Sequence, residues 1–418
     1  MENVDNKTIA RNFMWYSAGS TIYMAGMWVI TYLVMIISGA TDTGLLALAM
    51  TSTNVFYTIS VWGMRAYQVS DLQGKFSDNT YIMSRLLTCT VSLLACLVFV
   101  FIKGFTVEER LCILLYMVFK LSEALVDVYN GIVQKHWRMD IIGKSYIARA
   151  ILTVAAFCLV LKFTGSLLLA IIAMMICSYA VIFSYDIIQT VKIARVKIKF
   201  DFHGLDKLLI ACAPLIVCAF LYSFNVMVPR LFLKDAYGTD VFGYYSAIAA
   251  PVLIIQLLAS FIYAPLIPLF SKSHTEKNAK AFAGLLSKTI LIILALSVIA
   301  VIGCYFFGDW GLSILYGSKP KVLDYSYLLV PTVITVICTA FIWLLNNVIT
   351  AIRQIKFLFF SAIVGSVICI AISKICIDVY GVNGINISMI IVQLIQIILL
   401  LGYLIRYIYA GRADTINN

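Results

Sequence analysis

The chain is 418 residues long, 62% hydrophobic and only 12% charged, with a formal net charge of +11, whereas a soluble domain is about half apolar and about a quarter charged. Together with a mean hydropathy of +0.99, this excludes a soluble globular protein. A bilayer crossing takes about 20 apolar residues, so the hydrophobic content fills on the order of a dozen crossings and leaves no space for an extramembrane catalytic domain.

Apolar runs long enough to span lie at about 12–38, 44–64, 82–102, 111–134, 146–164 and 166–188, then at about 207–231, 241–270, 287–308, 325–350, 355–376 and 382–408. They predict an all-α polytopic membrane protein of about 12 transmembrane helices. The first run is longer than the apolar part of a signal peptide, about 7–15 residues, and is expected to be retained. Cytoplasmic loops accumulate Lys and Arg. Placing the tails and the even-numbered loops on one side puts 22 of the 31 basic residues there and eight opposite, with Lys120 inside a span. Both termini are therefore expected in the cytoplasm, and the positive charge reflects membrane orientation, with no nucleic-acid partner.

The fourth run carries Lys120, Glu123 and Asp127. At about 100° per residue the three share one helix face, which must look away from lipid. Lys120 and Glu123 are spaced to neutralise each other, which leaves Asp127 as an unpaired acid. Intramembrane charges are functional candidates, so Glu123 and Asp127 are expected to take a proton or a sodium ion in a coupled cycle. The alternative is an internal ion-pair ladder that fixes helix packing. Arg65, Arg149 and Arg353 each fall where a predicted span meets the cytoplasm. Guanidinium forks suit phosphate oxygens, though snorkelling anchors would look the same. Eleven cysteines occur singly in apolar stretches and read as small buried hydrophobes. No GxxxxGK[ST], HExxH or CxxC motif is present, so neither a nucleotide-driven pump nor a metal enzyme is indicated, and no catalytic residue, metal site or cofactor is expected.

The second run opens with Thr41-Asp42-Thr43-Gly44 and the eighth with Thr239-Asp240-Val241-Phe242-Gly243, their terminal glycines 199 residues apart. That offset is close to half the chain. It predicts two six-helix lobes, residues 1–190 and 207–418, joined by a basic cytoplasmic linker at 191–206; such parallel repeats are used by transporters. All seven prolines, Pro214 to Pro331, lie in the second half, where they mark helices able to bend.

Three segments then carry a family likeness. Arg11-Asn12-Phe13-x-Trp15 with Gly19, Gly63-Met64-Arg65-Ala66-Tyr67-Gln68-Val69-Ser70-Asp71, and Gln134-Lys135-His136-Trp137-Arg138-Met139-Asp140 with Ser145 and Arg149 resemble bacterial polysaccharide repeat-unit flippases. These Wzx-like proteins, exporters of O-antigen and capsule units, belong to the multidrug/oligosaccharidyl-lipid/polysaccharide exporter superfamily. The resemblance implies a MATE-like fold of two lobes around a central cavity in the bacterial cytoplasmic membrane. It implies a cargo of oligosaccharide on undecaprenyl pyrophosphate, moved from the inner to the outer leaflet by alternating access, with coupling to a proton or sodium gradient. Lipid-linked oligosaccharide and membrane lipids would then be its partners, with polysaccharide polymerase and glycosyltransferases as protein partners. Arg65, Gln68, Asp71 and Arg149 stand at motif positions; with Lys120 and Arg353 they form the expected substrate-binding set. Two other readings stay open: a cation-coupled multidrug antiporter of the same superfamily, and a membrane scaffold for polysaccharide synthesis enzymes.

Overall fold

Because apolar segments with no water to bind must satisfy their own backbone, helices dominate. The computed structural model describes residues 6–71, 74–194, 204–317 and 319–416, and among these no strand occurs. The first helices are α1 (Asn6–Ile37), α2 (Ala40–Val61), a short α3 (Met64–Ser70), α4 (Asp78–Ile102) and α5 (Val107–Lys135). Next come α6 (Met139–Thr164), α7 (Leu167–Val181), a π-helical turn (Ile182–Asp186) and α8 (Ile187–Ala194). Then α9 (Leu205–Tyr263), α10 (Ile267–Thr275), α11 (Ala279–Tyr316), α12 (Leu329–Ala351), α13 (Ile355–Tyr380) and α14 (Gly384–Ile416) complete the order.

Polar punctuation sets the boundaries. Ser77 caps α4 through the Thr80 amide, and Thr106 with Glu109 forms a reciprocal capping box at the start of α5, which satisfies two of the orphan donors of a helix N-terminus. The runs at 146–164 and 166–188 are separate because Gly165, at φ 64°, turns the chain out of α6. The repeat also has a backbone counterpart. Gly39 (φ 96°, ψ −164°) precedes α2, and Gly238 (φ 84°, ψ 173°) interrupts α9 at the same offset of 199 residues. Only glycine adopts that conformation without strain, and each time it redirects the chain just before the Thr-Asp motif.

The chain divides into two compact units, 1–223 and 224–418, with the boundary inside α9. Of the linker expected at 191–206, residues 195–203 lie outside the described residues. Among the described residues nine stretches are long and apolar enough to cross a bilayer, and two of these, Leu205–Thr275 and Ile355–Tyr409, have the length for more than one crossing. The protein is a multi-pass membrane protein. Helix α5 is not among the nine, since Lys120, Glu123 and Asp127 interrupt its apolar run; it is covered in the first unit by α2, α3, α4 and α7.

In the first unit α1 and α6 pack backbone to backbone. A Cβ added at Gly19 would strike the Gly143 backbone, and one added at Gly143 would strike the Trp15 carbonyl. Small residues at a membrane helix contact allow this close approach. The Asn12 side-chain amide reinforces it by donating to the Trp137 carbonyl at 2.5 Å.

Candidate functional site

The polar face of α5 is the centre of the site. Lys120 pairs with Glu123, as the three-residue spacing requires. The Tyr23 hydroxyl of α1 donates to Glu123 Oε1 at 2.5 Å, and the Lys120 ammonium lies 4.3 Å from the centre of the Tyr57 ring. One turn further along, Asp127 is not the unpaired acid that the sequence led us to expect. Arg65 Nη1 reaches Asp127 Oδ1 at 3.3 Å and Arg85 Nη2 reaches Oδ2 at 2.8 Å, so one carboxylate is held between two guanidinium groups. Helical spacing predicts partners on the same helix; these partners come from α3 and α4.

The short helix α3 delivers Arg65. Its start is set by Trp62 (φ 49°) and Gly63 (φ 60°), both left-handed, which fold the chain back after α2. Gln68, one turn on, is fully buried and donates to the Val128 carbonyl at 3.2 Å, filling the space over Gly131. Gln68 therefore fastens α3 to α5. Arg65 is steadied further by Gln134 Oε1, which accepts from Nε at 3.3 Å and Nη2 at 3.1 Å. At the end of α3, Asp71 accepts from the Lys75 and Phe76 amides at 2.9 and 3.0 Å and from the Tyr81 hydroxyl at 3.2 Å. Partial burial works against ionisation of Asp71, but these donors and the nearby Lys135 outweigh it and hold its carboxyl below the usual range.

Arg85 is one of the 22 basic residues that the charge pattern places on the cytoplasmic side. It is fully buried, and Nη1 donates to the Ser60 carbonyl near the end of α2 at 2.6 Å, a favourable place for a cation on a helix C-terminus. The signal for it was the polar stripe Tyr81, Arg85, Thr88 and Ser92, which recurs every three or four residues along the largely apolar α4.

Arg149 departs from expectation in another way. It is not a snorkelling residue at a span end: it sits well inside α6 and is fully buried. Nη2 donates to Ser178 Oγ at 2.7 Å and to Ser122 Oγ at 3.3 Å, and the guanidinium carbon lies 5.4 Å from the centre of the Tyr23 ring. Tyr23 in turn stacks on Tyr146, with ring centres 5.6 Å apart. Arg353 belongs to the second unit, exposed in the left-handed turn between α12 and α13 (φ 59°). Sequence reasoning missed Tyr23, Tyr57, Ser122 and Ser178, because each is of a type common in membrane helices, and Arg85, because it stands near a span end where a cytoplasmic anchor is expected.

Arg65, Arg85, Lys120 and Arg149 thus surround two carboxylates, Glu123 and Asp127. The side chains of Arg65 (21% exposed), Asp127 (18%), Lys120 (13%) and Glu123 (12%) are reachable, whereas Arg85 and Arg149 stand behind them at 0%. Such a face favours an anion rich in phosphate-like oxygens. Among the described residues no group of His, Cys, Asp or Glu is arranged to hold a metal ion.

A family model for polysaccharide biosynthesis proteins matches residues 9–274, which include every site residue except Arg353. The chain belongs to this family. The three segments that carried the sequence likeness all lie within the match. A relative within reach of sequence comparison is the capsular polysaccharide biosynthesis protein CapF of Staphylococcus aureus, 27% identical over 250 residues, or 59% of this chain and 62% of that protein. The match thus spans under two thirds of that relative's length.

Solved structures show the fold of this polysaccharide biosynthesis family member. The lipid II flippase MurJ in an inward closed conformation superposes with a TM-score of 0.75 at 15% identity, covering 96% of this chain and 91% of that one. A multidrug resistance MATE family transporter in an inward-facing conformation gives 0.68 at 13% identity over 96% and 95%. The eukaryotic MATE transporter AtDTX14 gives 0.68 at 15% over 97% and 99%. The expected MATE-like, all-helical architecture is therefore correct.

Proposed function

We propose that this protein is a flippase that moves oligosaccharide repeat units on undecaprenyl pyrophosphate from the inner to the outer leaflet of the bacterial cytoplasmic membrane, by alternating access. The observation that carries this reading is a cluster of four cations, the partly exposed Arg65 and Lys120 and the buried Arg85 and Arg149 behind them, around only two carboxylates, Glu123 and Asp127. A pyrophosphate crossing hydrocarbon without such a face would lose its hydration with nothing in return. Arg65, reachable and oriented by Gln134, is the group to engage the pyrophosphate, with Lys120 about two turns from Asp127 along α5 on the same face. Family membership and the likeness to flippases and transporters support this reading. A drug antiporter for cationic compounds would need the opposite charge balance, and a scaffold has little need of charges placed here.

The same reading holds that the spans number twelve in two sets of six, that both termini are cytoplasmic, and that the protein carries cargo without catalysing a reaction or using a resident cofactor. It draws on an ion gradient, and polymerase and glycosyltransferases are its protein partners. The test is depletion in the native host, with surface polysaccharide and inner-leaflet lipid-linked oligosaccharide quantified together. Loss of the first with accumulation of the second is expected. Arg65→Ala at equal protein level should lower transport about tenfold, the equivalent of one charge-assisted hydrogen bond of about 1.5 kcal/mol. Normal polymer and unchanged precursor on depletion, with new sensitivity to cationic drugs, would overturn the reading.

A further inference from the structure

Glu123 and Asp127, the acids placed to couple transport to an ion, are both answered by cations: Lys120 for the first, Arg65 and Arg85 for the second. Asp186 is answered by none at ion-pair distance among the described residues, although it is only 3% exposed. It closes the π-helical turn Ile182–Asp186 between α7 and α8. Such turns are rare inside helices and concentrate at functional positions, because the extra residue re-aims a side chain.

Three buried polar atoms here have no hydrogen-bond partner: Asp186 Oδ2, Ser145 Oγ and Arg149 Nη1. Buried polar atoms are almost always matched; here the Ser145 hydroxyl lies close enough to the Asp186 carboxylate to answer it after a small shift, while Arg149 Nη1 keeps a free donor toward the same place, so the cluster is poised for a proton to come and go. Helices α5, α6, α7 and α8 pack against the turn. The charged group that faces Asp186 is Arg149 of α6, with the Ser145 hydroxyl beside it, and Asp140 and Arg138 at the start of α6 act on the neighbouring Tyr185. Tyr185, next to Asp186 on the turn, is the adjacent titratable group.

We propose that Asp186 is a proton-binding site that controls how much of the Arg149 charge is available to an anion at the polar face of α5. Ionised, Asp186 balances Arg149. When its carboxylate takes a proton from solvent, that balance is lost, and the guanidinium charge acts forward through Tyr23, whose ring it faces at 5.4 Å and whose hydroxyl binds Glu123. Protonation then raises affinity for an anionic headgroup, and by linkage the bound anion raises affinity for the proton by the same factor. The identity of the anion as a pyrophosphate rests on the flippase reading; the proton site does not.

Two measurements on the full chain in lipid nanodiscs test this. Infrared difference spectra across about pH 5 to 8 should show the carbonyl band of a protonated carboxyl group, lost in Asp186→Asn and shifted in Asp186→Glu. Binding of a short-chain prenyl pyrophosphoryl monosaccharide, a diester whose own charge is constant over this range, should strengthen about tenfold toward acid in the wild type. In Asp186→Asn it should be strong and independent of pH, while Asp186→Glu keeps the pH dependence and serves if the Asn variant does not fold. A band that survives in Asp186→Asn, or a wild-type pH slope that persists there, overturns the proposal. A probe that binds at no pH overturns its anion half together with the flippase reading, and the infrared band then decides the proton site alone.

Discussion

Replacing Asp127 with Asn removes one negative charge from between two guanidinium groups, and the structure assigns the consequences unequally. Arg65 keeps its two bonds to Gln134 and is 21% exposed, so solvent takes up part of its charge. Arg85 keeps only the Ser60 carbonyl and is fully buried. Stripping one partner from a buried ion pair costs about 3–5 kcal/mol; with Asp127 itself 18% exposed, about 2–3 kcal/mol is the discounted value. Arg85→Met should cost about 2 kcal/mol, since Asp127 retains Arg65. The double variant Asp127→Asn/Arg85→Met leaves no stranded charge, so its loss should fall short of the sum by about 1–3 kcal/mol. The corresponding cycle with Arg65→Met should give a coupling of about 1 kcal/mol or less. Reversible denaturant unfolding of the purified protein in one fixed detergent measures all of these. Additive losses in the Arg85 cycle, or a larger coupling through Arg65 than through Arg85, would refute the reasoning.

Three further outcomes follow from packing and from the Asp71 carboxylate. Gly143→Leu must push α1 from α6, because any Cβ there meets the Trp15 backbone; a loss of about 3 kcal/mol or more is expected, read as a fall in unfolding midpoint and in folded yield. Gly284→Ala in α11, where a Cβ meets nothing within 4 Å, is the control and should be neutral or stabilising by up to about 1 kcal/mol. Asp71 carries a depressed folded-state pKa, so its contribution is present above the unfolded carboxylate value of 3.8 and is lost as pH falls through the lower folded value. The stability gap between wild type and Asp71→Ala, about 1 kcal/mol at neutral pH, should therefore close in acid; a gap that widens as pH falls contradicts this.

The family segments illustrate how a motif can be recognised before its work is understood. Asn12, Gly19 and Trp15 from the first segment meet Trp137 and Gly143, in or just beyond the third, as a backbone-level helix contact. Gln68 from the second is a fastener between α3 and α5. Read as a row of letters, Gln68 and Arg65 look equally available to a ligand; in space one is sealed and the other is open.

Composition and the length of the continuous apolar runs were enough for a membrane protein built of helices, because a span of about 20 apolar residues satisfies its backbone within itself only as a helix. Local spacing was enough for the Lys120–Glu123 pair, since it depends on residues within one helical turn. The partners of Asp127 were beyond such reasoning. Arg65 and Arg85 lie 62 and 42 residues away along the chain, and only the packing of α3 and α4 on α5 brings them to one carboxylate. The same holds for Arg149, whose place behind Tyr23 follows from the contact of α1 with α6 at two glycines. Helix propensity and apolar length are properties of a segment, whereas the pairing of buried charges is set by which helix faces meet.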